Sequence, residues 1–353
     1  MALRIALVGG PLYEPLNRTL RRSGIDVLEL PDVPIAQRRV AAMLSAGERL
    51  DLVTTSSAQI ASLSRWLLPL ERMVSIDGLS ARAAGLCTWG GHLYALPRSI
   101  EVRLLWARRD LMVDVPVSWT ELDAGGATFG FVGRGPHLFH TFVEAYVGVG
   151  RRLVDDDGAP TYATERAAAA IALLVRLGRR RAPNDLPTWR WDDLDNALAA
   201  GRVAMAQVGS SGWARLRRSP FRERFELRPA LNGTSHGACL SWAIPATCGD
   251  PPGALALLNE VTGVDANLAD LSTGLLPARL DVIDRVEHAD PVEAQRFALL
   301  RQVAGGLIAP PPHPHLPGFE ETAWRVLNRA LRGELQPGDA AAALQQSAHR
   351  VLG

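Results

Sequence analysis

Arg98, Ser99 and Glu101 are the most informative polar residues in the sequence. An apolar strand beginning after Gly91 is predicted to end just before them, at Pro97, and a second apolar strand follows them. A guanidinium binds carboxylate or phosphate through two parallel hydrogen bonds, and neighbouring hydroxyl and carboxylate groups bind ligand hydroxyls. The segment therefore predicts a polar edge that binds a small molecule. Whether Arg98 meets a ligand anion or pairs with Glu101 stays open.

Sequence motifs for catalysis or metal binding are not found in this chain. The stretch GSSGW at 209–213 has the wrong spacing for a nucleophile elbow, and GG at 9–10 lacks the rest of a phosphate-binding loop. His313 and His315 stand two residues apart among prolines, which is poor geometry for one metal ion. We expect no catalytic residues, no metal and no cofactor.

Tryptophan is the second feature that points to a ligand. Of nine Trp, five are predicted at loops or strand edges: Trp89, Trp189, Trp191, Trp213 and Trp242. An indole stacks on the C–H face of a sugar ring and offers an N–H to a hydroxyl. Core packing is the alternative for each of them, and for Trp213 both interpretations stay open because glycines and serines precede it.

Length and composition describe a folded protein of two domains. The chain has 353 residues, 47% of them apolar and 21% charged, with a formal net charge of +1. This charge gives no case for binding nucleic acid or a membrane surface. The sequence contains 38 Arg and no Lys. Cys87, Cys239 and Cys248 follow no metal-ligand spacing, so buried free thiols are expected, with one disulfide left open.

The order of elements predicts an open α/β sheet. Strands are predicted at 4–8, 25–30 and 50–54, and they alternate with helices. Ligands bind beyond the carboxyl ends of such strands, so residues 10–14 and 56–59 are candidate binding loops. A helix is predicted to start at Asp110, and Ser118 with Glu121 has the spacing of a capping box.

Five segments in this order resemble family 1 extracellular solute-binding proteins, the carbohydrate-type receptors of ABC importers. They are DLVTTSSAQIASLSRWLLPLERM (51–73), GGHLYALPRSIEVRLLWARRDLM (90–112), WRWDDLDNALAAGRVAMAQVGSSGWARL (189–216), STGLLPARLDVI (272–283) and PGFEETAWRVLNRALRGE (317–334). The resemblance covers nearly the whole chain. Each motif is degenerate alone, and the specificity lies in their order.

The resemblance implies a two-lobed periplasmic-binding-protein fold of type II, with an open sheet flanked by helices in each lobe and a ligand cleft between them. Lobe one would hold residues 1–108 and 238–286, and lobe two residues 109–237 and 287–353. The chain would cross between lobes near 106–112, 236–240 and 284–290.

The ligand-binding residues implied by the resemblance lie after strands and in the loops of both lobes. They are Tyr13, Glu14, Ser56, Ser57, Gln59, Arg98, Ser99, Glu101, Arg134, Gly135, His137, Trp189, Trp191, Ser211, Trp213, Ser241, Trp242 and Phe319. Arg98 departs from the aromatic or Asp that often follows Ala-Leu-Pro in the family. With Arg134 and His137 it could hold an anionic sugar-like ligand, and a neutral sugar is the other candidate.

By resemblance, the protein captures a sugar or related polar solute as a monomer and delivers it to the permease subunits of an ABC importer. The first residues lack the basic segment and long apolar core of a secretory signal. The resemblance implies an extracellular or periplasmic protein, which would be a lipoprotein or a secreted form whose signal has been removed, and the missing signal leaves a cytoplasmic location open. The alternative is a cytoplasmic enzyme or sensor on the same fold, with Glu14, Glu101, His137 and Arg98 as the proton-transfer groups.

Overall fold

The fold is described from a computed structural model that covers residues 2–10, 13–31, 33–148, 152–154, 160–162, 164–286 and 290–352. The chain forms two compact units. Unit 1 comprises residues 1–101, 238–287 and 312–314, and unit 2 comprises residues 102–237, 288–311 and 315–353. Both units are therefore assembled from segments that are distant in sequence. Of the predicted crossing near 284–290, residues 287–289 lie outside the described part.

Ten strands are described. In chain order they are β1 (Arg4–Val8), β2 (Asp26–Leu30), β3 (Leu52–Ser56), β4 (Thr88–Trp89), β5 (His92–Leu93), β6 (Leu96–Arg108), β7 (Phe129–Gly130), β8 (Met205–Gly209), β9 (Phe225–Pro229) and β10 (Gly237–Ala243). The α-helices described are α1 (Glu14–Arg22), α2 (Val33–Ser45), α3 (Ile60–Leu63), α4 (Ala81–Leu86), α5 (Trp119–Ala124), α6 (Pro136–Gly148), α7 (Glu165–Arg180), α8 (Trp191–Ala199), α9 (Trp213–Leu216), α10 (Pro251–Val261), α11 (Val264–Thr273), α12 (Leu280–Ile283), α13 (Pro291–Val303), α14 (Leu316–Leu331) and α15 (Pro337–Leu352).

Unit 1 is built on a sheet in the order β2, β1, β3, β10. The first three strands are parallel, with Ala6 opposite both Leu28 and Val53. β10 runs antiparallel to β3, with Thr54 opposite Trp242. Consecutive apolar residues of β1 are fully buried, as expected for a parallel strand covered on both faces. The carboxyl ends of β1 and β3 therefore meet at one edge of the sheet.

Unit 2 is built around the second half of β6. This strand pairs antiparallel with β8 and with β9, and Trp106 lies opposite Ala206 on one side and Leu227 on the other. β7 pairs parallel with β8. Helices α6, α7, α14 and α15 pack against one another beside these strands. None of the helices in the described ranges has the length and apolar character needed to cross a membrane.

Several predicted elements are corrected by the structure. Arg98, Ser99 and Glu101 lie within β6 and not in a loop between two strands, since Leu96–Arg108 is one continuous strand. No helix starts at Asp110, and the next described helix begins at Trp119. His137 lies in the first turn of α6 and Phe319 in α14, where loops were predicted for both.

Candidate functional site

The ion pair between Arg98 and Asp270 is the central polar contact of unit 1. Arg98, in β6, donates from Nε and Nη2 to the two carboxylate oxygens of Asp270, both at 2.7 Å. Asp270 projects from α11, and each side chain is only 3% exposed. The sequence left a ligand anion or Glu101 as the partner of Arg98, and in the structure the partner is Asp270. A bidentate buried pair of this kind fixes the guanidinium and neutralises its charge.

Backbone contacts hold this part of β6 against the segment that leads out of α11. Ala278 donates its N–H to the carbonyl of Arg98 at 3.1 Å, and Ile100 donates to the carbonyl of Leu276 at 3.0 Å. Ser99, which is buried, forms a bridge with Pro277. The Ala-Leu-Pro segment and the STGLLPARL segment, predicted as separate motifs, thus pair with each other.

Tyr13 lies beside the Arg98–Asp270 pair. Its ring centroid is 5.3 Å from Cζ of Arg98. Burial raises the pKa of the Tyr13 phenol well above its usual value, and the positive charge of Arg98 only partly opposes this. The phenol therefore stays protonated and can donate or accept a hydrogen bond. Glu101 also lies near enough to act on this pKa, so the structure brings Tyr13, Arg98 and Glu101 together.

Glu14 is directed elsewhere. It is the first residue of α1, and its carboxylate pairs with Arg18 at 3.4 Å and with Arg21 at 3.9 Å on the partly exposed surface of that helix. This arrangement is an ordinary stabilising pattern at a helix N-terminus.

The carboxyl end of β3 carries Ser56, Ser57 and Gln59. The Ser56 hydroxyl accepts a hydrogen bond from the Gln37 amide at 2.6 Å, and the Ser57 hydroxyl accepts from the N–H of Cys239 at 3.1 Å. Gln59 is buried, yet its Oε1 has no hydrogen-bond partner among the described residues. Since buried polar atoms are nearly always paired, this oxygen marks a place for a water molecule or a ligand donor.

Ser241 and Trp242 of β10 lie on opposite faces of the sheet, as neighbours in a strand must. The Ser241 hydroxyl is 3.1 Å from the Cys87 thiol and is buried. Trp242 is fully buried, and its Nε1 has no partner in the described part of the chain. The hydroxyl of Thr54, which lies opposite Trp242 on the same face of the sheet, also has no hydrogen-bond partner among the described residues. Sequence reasoning missed Thr54 because a threonine inside a strand is ordinary.

In unit 2, His137 stacks on Trp191 and meets His140 edge-on. Its imidazole lies 5.9 Å from the Trp191 ring, nearly parallel to it, and 5.4 Å from the ring of His140. Burial lowers the pKa of His137 well below its usual value, and the charges of His140 and Arg103 act in the same direction. His137 is therefore neutral at pH 7 and supplies no positive charge to a ligand anion.

Arg134 and Gly135 form the turn that leads into α6. Gly135 has a φ of +96°, a conformation that favours glycine. The Arg134 backbone N–H donates to the carbonyl of Trp189 at 2.9 Å, while its side chain is exposed.

A buried polar network behind His137 was not predicted. The carboxylate of Glu144 accepts hydrogen bonds from Arg103 at 3.2 Å, from Gln207 at 2.8 Å and from the backbone N–H of His236 at 2.8 Å. The His236 ring is stacked on His140 with 3.8 Å between centroids. These residues come from four different elements or loops, and no sequence motif joins them.

The remaining aromatic candidates lie in the interior of unit 2. Trp213 is 2% exposed and stacks on Trp106 with 5.7 Å between ring centroids. Phe319 packs edge-on against Phe139 at 5.4 Å. Ser211 is buried in the turn before α9. As ligand contacts, these three residues remain predictions.

Trp189 borders a cavity of about 300 Å³ with polar walls. Asp185 and Arg202 pair at 3.0 Å on its rim, and the Arg202 guanidinium is 5.2 Å from the Trp189 ring centroid. Trp189 is itself buried. No group of His, Cys, Asp or Glu side chains suited to a metal ion is found among the described residues.

Comparison with known proteins identifies the family. The model of the family described as "Bacterial extracellular solute-binding protein" matches residues 24–296, which is well over half of the chain.

Solved structures of similar fold agree with this family. Maltose-bound MalE3 of T. maritima has a TM-score of 0.86 and 18% identity, covering 99% of this chain and 100% of that one. An ABC transporter solute-binding protein from Thermotoga lettingae TMO, bound with alpha-D-tagatose, has a TM-score of 0.85 and 19% identity, with 100% of both chains covered. The GacH receptor of Streptomyces glaucescens GLA.O has a TM-score of 0.84 and 17% identity, covering 100% of this chain and 99% of that one.

At these identities the structural likeness establishes the fold, and the predicted α/β, two-lobed periplasmic-binding-protein fold is confirmed. The predicted resemblance is confirmed by the family match. The chain belongs to the bacterial extracellular solute-binding protein family.

Proposed function

We propose that this protein captures a neutral carbohydrate or polyol and delivers it to the permease subunits of an ABC importer. The observation that carries the choice of a neutral ligand is the ion pair between Arg98 and Asp270, in which the carboxylate balances the charge of the guanidinium. Tyr13 beside that pair, and Ser57 and Gln59 at the carboxyl end of β3, offer neutral hydrogen-bonding groups. Such groups match the hydroxyls of a sugar, because each hydroxyl both donates and accepts.

An anionic ligand has less support. It rested on Arg98, Arg134 and His137 acting together. Arg98 already has a carboxylate partner, burial lowers the pKa of His137 so that it is neutral, and only Arg134 keeps an exposed charge. A ligand carboxylate or phosphate placed beside Arg98 would also meet the negative charge of Asp270.

The comparison proteins support the class of ligand. MalE3 was solved with maltose, the Thermotoga lettingae protein with alpha-D-tagatose, and an Agrobacterium vitis S4 solute-binding protein with D-mannitol. We extend this class, neutral sugars and sugar alcohols, to the present chain. The proposal includes an extracellular or periplasmic location, as a lipoprotein or a secreted protein, and a monomeric state.

We propose that the protein does no chemistry on its ligand. The enzyme alternative required Glu14, Glu101, His137 and Arg98 as proton-transfer groups. Glu14 pairs with two arginines on the partly exposed surface of α1, whereas Arg98 pairs with Asp270 in the interior of unit 1, which argues against their acting as a proton-transfer pair.

Calorimetric titration tests the proposal with neutral hexoses, maltooligosaccharides and sugar alcohols in one set, and hexuronic acids and sugar phosphates in the other. We expect saturable heat and a raised melting temperature with at least one neutral compound. If folded protein shows no binding heat and no change in melting temperature with any compound of either set, the carbohydrate proposal is contradicted. Binding confined to the acidic set would contradict the neutrality of the ligand.

Gln59→Met tests the site directly. The substitution removes the unpaired amide oxygen and replaces it with an apolar side chain of similar length. The unliganded protein should therefore be at least as stable as the wild type. Loss of one hydrogen bond to the ligand should raise the dissociation constant of the complex by roughly tenfold. Gln346→Met, at an exposed position of α15, is the matched control and should change neither property. Unchanged affinity in Gln59→Met would remove Gln59 from the site.

A further inference from the structure

Two buried thiols meet inside unit 1. Cys87 directly follows α4, Cys239 lies in β10, and their residues are 0% and 1% exposed. Both are free cysteines, and the Cys87 side chain lies close enough to Cys239 to act on its pKa. The third cysteine, Cys248, lies apart from them, with its thiol 3.4 Å from the Asp51 carboxylate.

The packing around the two thiols places both sulfurs between α4 and one face of β10. Cys239 Sγ is 3.9 Å from the carbonyl oxygen of Ala83, in the middle of α4. Cys87 Sγ is 3.1 Å from the hydroxyl of Ser241. Because Cys239 and Ser241 are two residues apart in a strand, they share a face, and Cys87 packs against that face.

The backbone of each cysteine is also fixed. Cys87 donates its N–H to the carbonyl of Ala84 and accepts from the N–H of Tyr94, both within 3.1 Å. Cys239 donates its N–H to the Ser57 hydroxyl at 3.1 Å. The fold therefore holds both cysteines in place, with their sulfurs in the same region between α4 and β10.

We propose that Cys87 and Cys239 are a disulfide site, oxidised when the chain folds in an oxidising compartment by a dithiol–disulfide exchange partner such as glutathione disulfide. The thiolate of one cysteine attacks glutathione disulfide, breaks its S–S bond and releases one glutathione as a thiol. The second cysteine attacks the resulting mixed disulfide, forms the Cys87–Cys239 bond and releases the second glutathione. The two cysteines lose two electrons and two protons, and glutathione disulfide is reduced to two thiols.

The oxidation belongs to the folding stage because the finished fold protects the thiols. The neighbouring Cys87 thiol and burial raise the pKa of Cys239 well above its usual value, and the attacking species is the thiolate. Before unit 1 closes, both thiols are in water and react normally. This step rests on the proposed extracellular or periplasmic location, since disulfides form and persist in such compartments.

The test starts from the reduced, unfolded full-length chain, which is refolded in a buffer of reduced and oxidised glutathione. Free thiols are then alkylated with N-ethylmaleimide in denaturant at mildly acidic pH, and peptides are mapped by mass spectrometry. We expect Cys248 to be alkylated, and the peptides of Cys87 and Cys239 to be joined, with a mass lower by two hydrogen atoms. Alkylation of all three cysteines in protein that has refolded would overturn the proposal, as would a link that includes Cys248.

Two serine variants sharpen the result. Cys248→Ser should refold with the same joined peptides, and Cys239→Ser should leave Cys87 alkylated. If Cys239→Ser fails to refold, the peptide map of the wild type and of Cys248→Ser still decides. Joined peptides that disappear in Cys248→Ser would count against the proposed pair.

Discussion

At the scale of single residues, Arg98 shows how a side chain that was predicted to bind a ligand can instead form an ion pair inside the protein. Two charges removed from water lose most of their hydration, and their attraction compensates for this only when the geometry is good. The Arg98–Asp270 pair has two short parallel hydrogen bonds, and it joins β6 to α11 within unit 1. The pair therefore helps to specify how α11 docks against β6, and it balances the charge of Arg98.

Asp270→Asn tests this role. The variant keeps the shape of the side chain but leaves the Arg98 charge buried without a counter-ion, so we expect the free energy of unfolding to fall by about 3–5 kcal/mol. Urea denaturation followed by circular dichroism measures the change. Glu334→Gln is the matched control, because Glu334 pairs with Arg332 at 2.8 Å on the exposed surface, and such a pair contributes about 1 kcal/mol or less. Equal effects of the two variants would contradict a structural role for the buried pair.

Arg98 also marks the limit of prediction from the sequence. Its position after Ala-Leu-Pro identified it as an unusual residue, and that prediction needed only local information. Its partner stands 172 residues away, in a helix whose sequence has no feature that points to a carboxylate turned inward. The same limit applies to Glu144 and His236, since their contact is created by tertiary packing.

At the scale of elements, a local signal correctly predicted the start of α5. Ser118 was predicted as an N-cap, and its hydroxyl accepts from the N–H of Glu121 at 3.2 Å. The prediction was wrong for β6, because Pro97 and the polar residues after it are typical of a loop. The strand continues there because Ser99 bridges Pro277 and its neighbours pair with the same segment, a partner that a local pattern does not reveal.

Helix α6 carries His137, His140, Thr141 and Glu144 at the spacing of one helical face. This face meets Trp191 of α8, Arg103 of β6, Glu320 of α14 and His236. Burial lowers the pKa of His137 and of His236 well below the usual 6.5. Two histidines are thus held neutral among charged neighbours, which makes unit 2 sensitive to acid.

We expect the stability of unit 2 to fall as the pH is lowered below about 6.5. In the unfolded chain both histidines bind protons near that pH, whereas in the folded protein they stay neutral until a lower pH, so acid favours the unfolded state. The loss between pH 7.5 and 5.5 should be about 1 kcal/mol for each of the two histidines. Urea unfolding at both pH values, with the fluorescence of tryptophans such as Trp191 as the signal, measures it.

His236→Gln should reduce this pH dependence, and His349→Gln, at an exposed position of α15, should leave it unchanged. The carboxylates of Glu144 and Glu320 lie beside the cluster. Burial raises the pKa of Glu144, so protonation of this carboxylate favours the folded state and partly opposes the effect of the histidines. A wild-type protein equally stable at both pH values would contradict the neutral state of the histidines.

At the scale of the whole molecule, both units are discontinuous in sequence. Alternating strands and helices predicted the α/β class, and the order of motifs predicted the two-lobed fold, because both depend on patterns spread along the chain. In unit 1, the last strand and the partner of Arg98 come from the segment 238–286, far from β1 and β3.

The fragment 1–101 should therefore not fold alone. It lacks β10, so the edge of β3 is left unpaired, and it lacks Asp270, so Arg98 would be buried without a counter-ion. Joining 1–101 to 238–286 through a long Gly/Ser linker restores both, and we expect the joined chain to melt cooperatively, as followed by far-ultraviolet circular dichroism. The same chain with Asp270→Asn should melt at a lower temperature. Cooperative melting of 1–101 alone, or no folding of the joined chain, would show that unit 1 is not the independent body that its interior contacts indicate.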